Sequence, residues 1–184
     1  MKKIITILCF LYLISPAWAD SNIMFGEKQN SSAFYIAQST GSGTLFKLIN
    51  PGIWDFHPQT LFLAQYSQPT TFFRLDSRLN FNLVGNTGYN SSKNLGFVGI
   101  GISLDTALFQ YHDWYTGIGI GPYMRDKPDR WVESRLVFGE KFFIGKNIDE
   151  NWYMEFFTIH FSNGNFTNVN KGFNFAGFSI GRKF

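Results

Sequence analysis

Between positions 72 and 83 the chain alternates strictly. Phe73, Leu75, Ser77, Leu79, Phe81 and Leu83 share one parity; Phe72, Arg74, Asp76, Arg78, Asn80 and Asn82 share the other. Successive side chains of a strand point to opposite faces, so this segment predicts a strand with one apolar and one polar face. Similar, shorter patterns recur. They predict strands over 32–39, 59–67, 71–84, 94–103, 114–124, 133–145, 152–162 and 173–184. Eight antiparallel strands are the smallest usual number for a bacterial transmembrane β-barrel, and about 9–11 tilted residues cross the hydrocarbon. The expected fold is all-β, with apolar residues outside and polar residues filling a narrow lumen. Arg74, Asp76 and Arg78 are expected to neutralise one another there.

The N-terminus has a different pattern. Lys2 and Lys3 precede an apolar run over 4–14 and the small-x-small triplet Ala17-Trp18-Ala19. This predicts a cleaved signal peptide at 1–19 and a barrel domain at 20–184. The apolar run is too short to span a bilayer as a helix. Cys9, the only cysteine, lies within the signal, so neither disulfides nor thiol chemistry is expected after cleavage.

Composition agrees. Aromatics make up 19% of the 184 residues, including 22 Phe, yet mean hydropathy is only −0.08. That balance suits strands apolar on one side only. The formal charge is +3, and Lys2 and Lys3 supply two of it, leaving +1. A nucleic-acid partner is therefore not expected.

Counting from a periplasmic N-terminus, odd strands run outward and even strands return. Loops beginning near Gly41, Gly85, Arg125 and Asn163 face outside; Gln68, 105–113 and 146–151 face the periplasm. Tyr111, Trp114, Tyr115, Trp152, Tyr153 and the terminal Phe184 are expected in the inner aromatic girdle. Gly99 with Gly101, and Gly117, Gly119 and Gly121, share faces and relieve crowding in a small lumen. The mixed-charge stretch 125–130 reads as a solvated outer loop. His57 and His112 lie far apart without clustered carboxylates, so no metal site is expected.

Candidate chemistry gathers near the C-terminus. His160 and Ser162, two apart on the seventh strand, share a face near its outer end. Asn174 has the parity of Ala176, Phe178 and Ile180, the lipid side of the eighth strand. It approaches His160 if the hairpin closes through 163–172. A serine needs a base to take its proton, and the base needs a third group to orient it. The runs Asn163-Gly164-Asn165 and Asn170-Lys171-Gly172 bring amide donors for an oxyanion.

The segment His160-Phe161-Ser162-Asn163-Gly164, followed by Asn170-x-Gly172 and a closing strand, resembles outer-membrane lipid A 3-O-deacylases of the PagL type. The specific match covers 158–184. The resemblance implies an eight-stranded barrel that hydrolyses the ester-linked acyl chain at the 3-position of lipid A. It implies Ser162 as nucleophile, His160 as base, and Gly164 and Asn170 in oxyanion stabilisation. It also implies lipid A or lipopolysaccharide as substrate, a site facing the outer leaflet, and no cofactor. A homodimer is left open. One position departs: Asn174 stands where the family has glutamate. Asparagine can accept from an imidazole N–H but cannot balance an imidazolium by charge; Asp-to-Asn in a serine protease costs about 10⁴ in kcat. Glu133 and Glu155 are alternative acids, although Glu155 has the opposite parity and is expected in the lumen. Two further readings are a non-enzymatic barrel serving adhesion or envelope stability, which the missing glutamate favours, and an acyltransferase, which the charged lumen disfavours.

Overall fold

The computed structural model describes residues 29–47, 49–87 and 96–184. The expected signal peptide lies outside them. Eight antiparallel strands, each paired with its sequence neighbours, form a closed barrel. They are β1 (Ser31–Gly41), β2 (His57–Phe72), β3 (Leu75–Asn86), β4 (Phe97–Tyr111), β5 (Trp114–Arg125), β6 (Leu136–Asn147), β7 (Trp152–Ser162) and β8 (Phe173–Lys183). Strand β1 closes on β8, with Ser31 opposite Lys183 and Gly41 opposite Asn174. Closure satisfies every strand edge internally, as a chain crossing lipid requires. Long connections cluster at one end and short turns at the other.

The strand count agrees with the sequence pattern, but several boundaries do not. Positions 71 and 72 belong to β2, and Phe73 and Arg74, both with positive φ, form the turn into β3. Such two-residue turns favour Asn-Gly, so Phe-Arg carried no turn signal. Pro69, which did carry one, pairs within the ladder opposite Arg78. Strand β4 does not end at Ser103. It continues to Tyr111 through a bulge after Ala107, and only His112 and Asp113 turn the chain into β5. Asp105, which read as a loop residue, is fully buried in the lumen.

That burial is tolerable because Asp105 is paired. Its Oδ2 accepts from Arg78 Nε at 3.0 Å and Lys141 Nζ at 2.5 Å. Arg78 also bridges to Glu155 at 2.8 Å, and Tyr35 and Tyr115 donate to Glu155 at 3.0 Å each. Two cations and two carboxylates thus cancel in the interior, as buried charges must. The expected trio of Arg74, Asp76 and Arg78 does not form. Arg74 is exposed at the turn, and Asp76 accepts from Gln110 instead. Space is tight here: a Cβ on Gly119 would overlap Asp105 Oδ1.

Outward positions are apolar and exposed, among them Phe34, Ile36, Phe81, Leu83, Ile100, Ile118, Ile120, Phe178 and Ile180. At the short-turn end Tyr111, Trp114, Trp152 and Phe184 are exposed as a girdle requires. Tyr115 and Tyr153 are not part of it. Each follows an outward Trp, so parity turns it into the lumen, where it is buried. Arg125 also departs from expectation. It is buried, paired with Asp129 at 2.5 Å, and donates to the carbonyls of Val132 and Ser134.

Candidate functional site

Strand β7 fixes the site by parity. Tyr153, Glu155, Phe157, Ile159 and Phe161 are buried in the interior, so His160 and Ser162 project from the outer wall. Strand β8 returns beside it with Asn174 directly opposite His160. His160 Nδ1 lies 2.7 Å from Asn174 Oδ1, so the expected approach across the hairpin is made. An amide oxygen can only accept, so this contact places the proton on Nδ1 and leaves Nε2 with a free lone pair.

The pair is not open to lipid along its whole height. His160 is 6% exposed and Asn174 0%, although both sit on the outer wall. Loops cover them. Gly43 N–H donates to Lys171 O at 3.1 Å, bringing the β1–β2 connection over the β7–β8 connection. Gly172 lies against the imidazole with φ +62°. A Cβ there would overlap His160 Cε1 and stand 2.8 Å from Gly43 O. Only glycine fits under that roof.

Ser162, half-buried at the end of β7, pairs with Phe138 of β6. Phe138 in turn meets Phe166 edge-on at 5.8 Å. The hydroxyl therefore stands beside an apolar wall. No hydrogen bond joins Ser162 to His160 among the described residues; catalytic contacts of this kind often tighten only with substrate bound.

The loop after Ser162 is built by its asparagines. Asn163 is fully buried; its Oδ1 accepts from Asn165 N at 2.9 Å and its Nδ2 donates to Thr167 Oγ1 at 2.5 Å. Asn170 Oδ1 accepts from Asn163 N at 3.0 Å, and its Nδ2 donates to Asn165 Oδ1 at 2.8 Å. Both polar ends of Asn170 are thus engaged in shaping the turn. Gly164 is exposed in left-handed backbone, φ +62°. The loop is also clamped from the β5–β6 connection, through Lys171 N–H to Trp131 O at 2.7 Å and Glu133 N–H to Val169 O at 3.0 Å.

Neither alternative acid reaches this arrangement through the strand ladder. Glu133 precedes β6 and its side chain is exposed. Glu155 faces the lumen, as its parity required, and is held by Arg78, Tyr35 and Tyr115. The ladder instead brings Glu140 of β6 directly opposite His160. Sequence reasoning missed it. The usable signal was a carboxylate on the apolar parity of β6, among Leu136, Phe138, Phe142 and Ile144.

A closed eight-stranded barrel with an apolar wall, a charge-neutral lumen and long loops at one end belongs to the class of bacterial outer-membrane barrels. The chain belongs to the lipid A 3-O-deacylase (PagL) family, whose model matches residues 60–183. That membership suggests a lipid A deacylase, a hydrolase of an outer-membrane lipid. Among solved structures the chain is similar to the outer membrane enzyme PagL, at 13% identity and TM-score 0.52, covering 83% of this chain and 97% of that one. It is also similar to Neisserial surface protein A, at 12% identity and TM-score 0.53, covering 86% and 98%. At these identities the likeness concerns the fold alone. No curated protein sequence matches the chain.

Proposed function

We propose that this protein is a serine-dependent lipid A 3-O-deacylase acting on the outer leaflet. The observation that carries the reading is the 2.7 Å contact between His160 Nδ1 and Asn174 Oδ1 on the outer wall, two residues before the end of β7. Residues 1–19 act as the export signal in this scheme, and the long-loop end faces outside.

Lipid A reaches the wall by lateral diffusion. The exposed Phe166 and the wall residue Phe138 suit an acyl chain beside Ser162. His160 Nε2 takes the proton from Ser162 Oγ as the oxygen attacks the ester carbonyl. The carbonyl electron pair moves onto oxygen, and N–H groups of the 163–172 loop, that of Gly164 first, receive the oxyanion. Collapse expels the sugar 3-oxygen, which takes the proton from His160. Water, deprotonated by the same nitrogen, then releases the hydroxy fatty acid and regenerates Ser162.

Asn174 orients the ring and fixes its tautomer; Gly172 admits the ring beneath the loop; Asn163 and Asn170 hold the loop's shape. Mass spectrometry of lipid A from cells expressing wild type and Ser162→Ala tests the reading. Loss of one hydroxyacyl mass with wild type alone supports it, and full deacylation by the folded variant overturns it. The neutral residue at position 174 favours one competing reading, a barrel without enzymatic activity, for which lipid A is unchanged whether or not the protein is present.

A further inference from the structure

The side chains across three adjacent strands form one row. Glu140 of β6 pairs with His160 of β7, and His160 pairs with Asn174 of β8. All three have the outward parity, and residues directly opposite in neighbouring strands bring their Cβ atoms to about 4.5–5.5 Å. The imidazole is therefore flanked by an amide on one side and a carboxyl group on the other.

Glu140 is the one acidic residue on the outward parity of β6. Its neighbours on the same face of its own strand are Leu136, Phe138, Phe142 and Ile144. A carboxylate in the lipid-facing wall is expensive, and ionisable groups retained within a membrane mark function by default. Its Oε2 is buried and makes no hydrogen bond among the described residues, and no ion pair involves it there. The adjacent Lys141 does not serve it, because that side chain points inward to Asp105.

We propose that Glu140 is the charge partner of His160, a positioning residue that supplies what Asn174 cannot. The inference rests on the serine-hydrolase reading above. One acid ordinarily does two jobs: it orients the base and balances the imidazolium. Here the jobs are divided between strands. Asn174 holds Nδ1–H, and the Glu140 carboxylate stabilises the positive ring that forms when Ser162 gives up its proton. Glu140 exchanges no proton in the cycle; its effect is electrostatic, and it is strong because the site is sheltered from water.

The test uses the full-length barrel refolded in detergent, with lipid A as substrate and a fluorophosphonate as a probe of Ser162. Folding of each variant is checked by heat-modifiable migration on a gel. Glu140→Gln keeps the shape and removes the charge. It is expected to lower kcat about 10²-fold, leave KM nearly unchanged and slow fluorophosphonate labelling in parallel. Adding Asn174→Glu to Glu140→Gln returns a charge to the other side of the ring, and is expected to restore kcat to within about tenfold of wild type. A Glu140→Gln variant that deacylates and labels like wild type overturns the inference while leaving the serine mechanism standing. So does a slowed variant that Asn174→Glu fails to rescue, because that outcome is the signature of a packing role. A wild-type barrel that neither deacylates nor labels removes the serine mechanism and the inference together.

Discussion

Two clusters of polar residues in the barrel are organised on opposite principles. In the lumen, Arg78 and Lys141 face Asp105 and Glu155, and two tyrosines complete the shell around Glu155. Charge closes to zero, and Asp105 Oδ2 alone accepts from both cations. On the outer wall, His160 is held by one neutral amide, while Asn174 Nδ2 and Glu140 Oε2 are buried without hydrogen-bond partners among the described residues. A cluster whose charges are matched serves the fold. On the outer wall the Glu140 carboxyl group meets no cation among the described residues, and it stands in a row with groups that the proposed reaction would use. Unpartnered buried atoms alone do not separate the two clusters, because Asp105 Oδ1 in the lumen also lacks a hydrogen-bond partner among the described residues; the difference lies in charge, cancelled in one cluster and not in the other.

Mutations can pull the two clusters apart. The largest effect is expected from Ser162→Ala, which should lower deacylation by at least about 10³-fold in purified barrels while leaving the urea midpoint unchanged. Next, Arg78→Ala leaves Asp105 with Lys141 alone and Glu155 without its cation, one uncompensated buried charge in the lumen. It should cost about 3–5 kcal/mol of barrel stability, read as a lower midpoint in equilibrium unfolding, and active molecules should keep their kcat. Gly172→Ala sits between the two. The positive φ costs about 1–2 kcal/mol, and displacement of the imidazole should reduce kcat about 10²-fold, as small misplacements do. The smallest change is Asn174→Ala. It removes an orienting acceptor but also an unpartnered donor, so stability should move by no more than about 1 kcal/mol while kcat falls about tenfold. Equal loss of stability and activity in both clusters would erase the distinction between them.

Parity was legible in the sequence, and register was not. Alternation alone placed His160, Ser162 and Asn174 on the outer wall and Glu155 in the lumen, because each side chain's face follows from its neighbours. The pairing of His160 with Asn174 was legible too, since the 163–172 connection leaves few alternatives. Glu140 escaped because its partner depends on where the β6–β7 turn is centred. That turn reads as 146–151, whereas Asn147 pairs with Tyr153 and the chain reverses between them. A shift of two residues keeps every face and changes every partner. The misplaced turns have a different cause. Phe73-Arg74 lacks turn chemistry, and Asp105 looked like a loop because its two cations, Arg78 and Lys141, come from strands 27 and 36 residues away. The loop roof over His160 had no local signal, since Gly43 and Gly172 are brought together only by barrel closure.

That roof has a consequence for timing. His160 and Asn174 belong to one hairpin and can meet as soon as β7 and β8 pair, but the cover over the ring comes from the other end of the chain, through Gly43 against Lys171 and Gly41 opposite Asn174. The seam between the first and last strands is thus also the assembly joint of the site. Before closure, the chain carries the side chains of the proposed site without the enclosure that sets their geometry. The enclosure is complete only when the cylinder is sealed, so on the proposed mechanism a site with its final geometry exists only in a finished barrel.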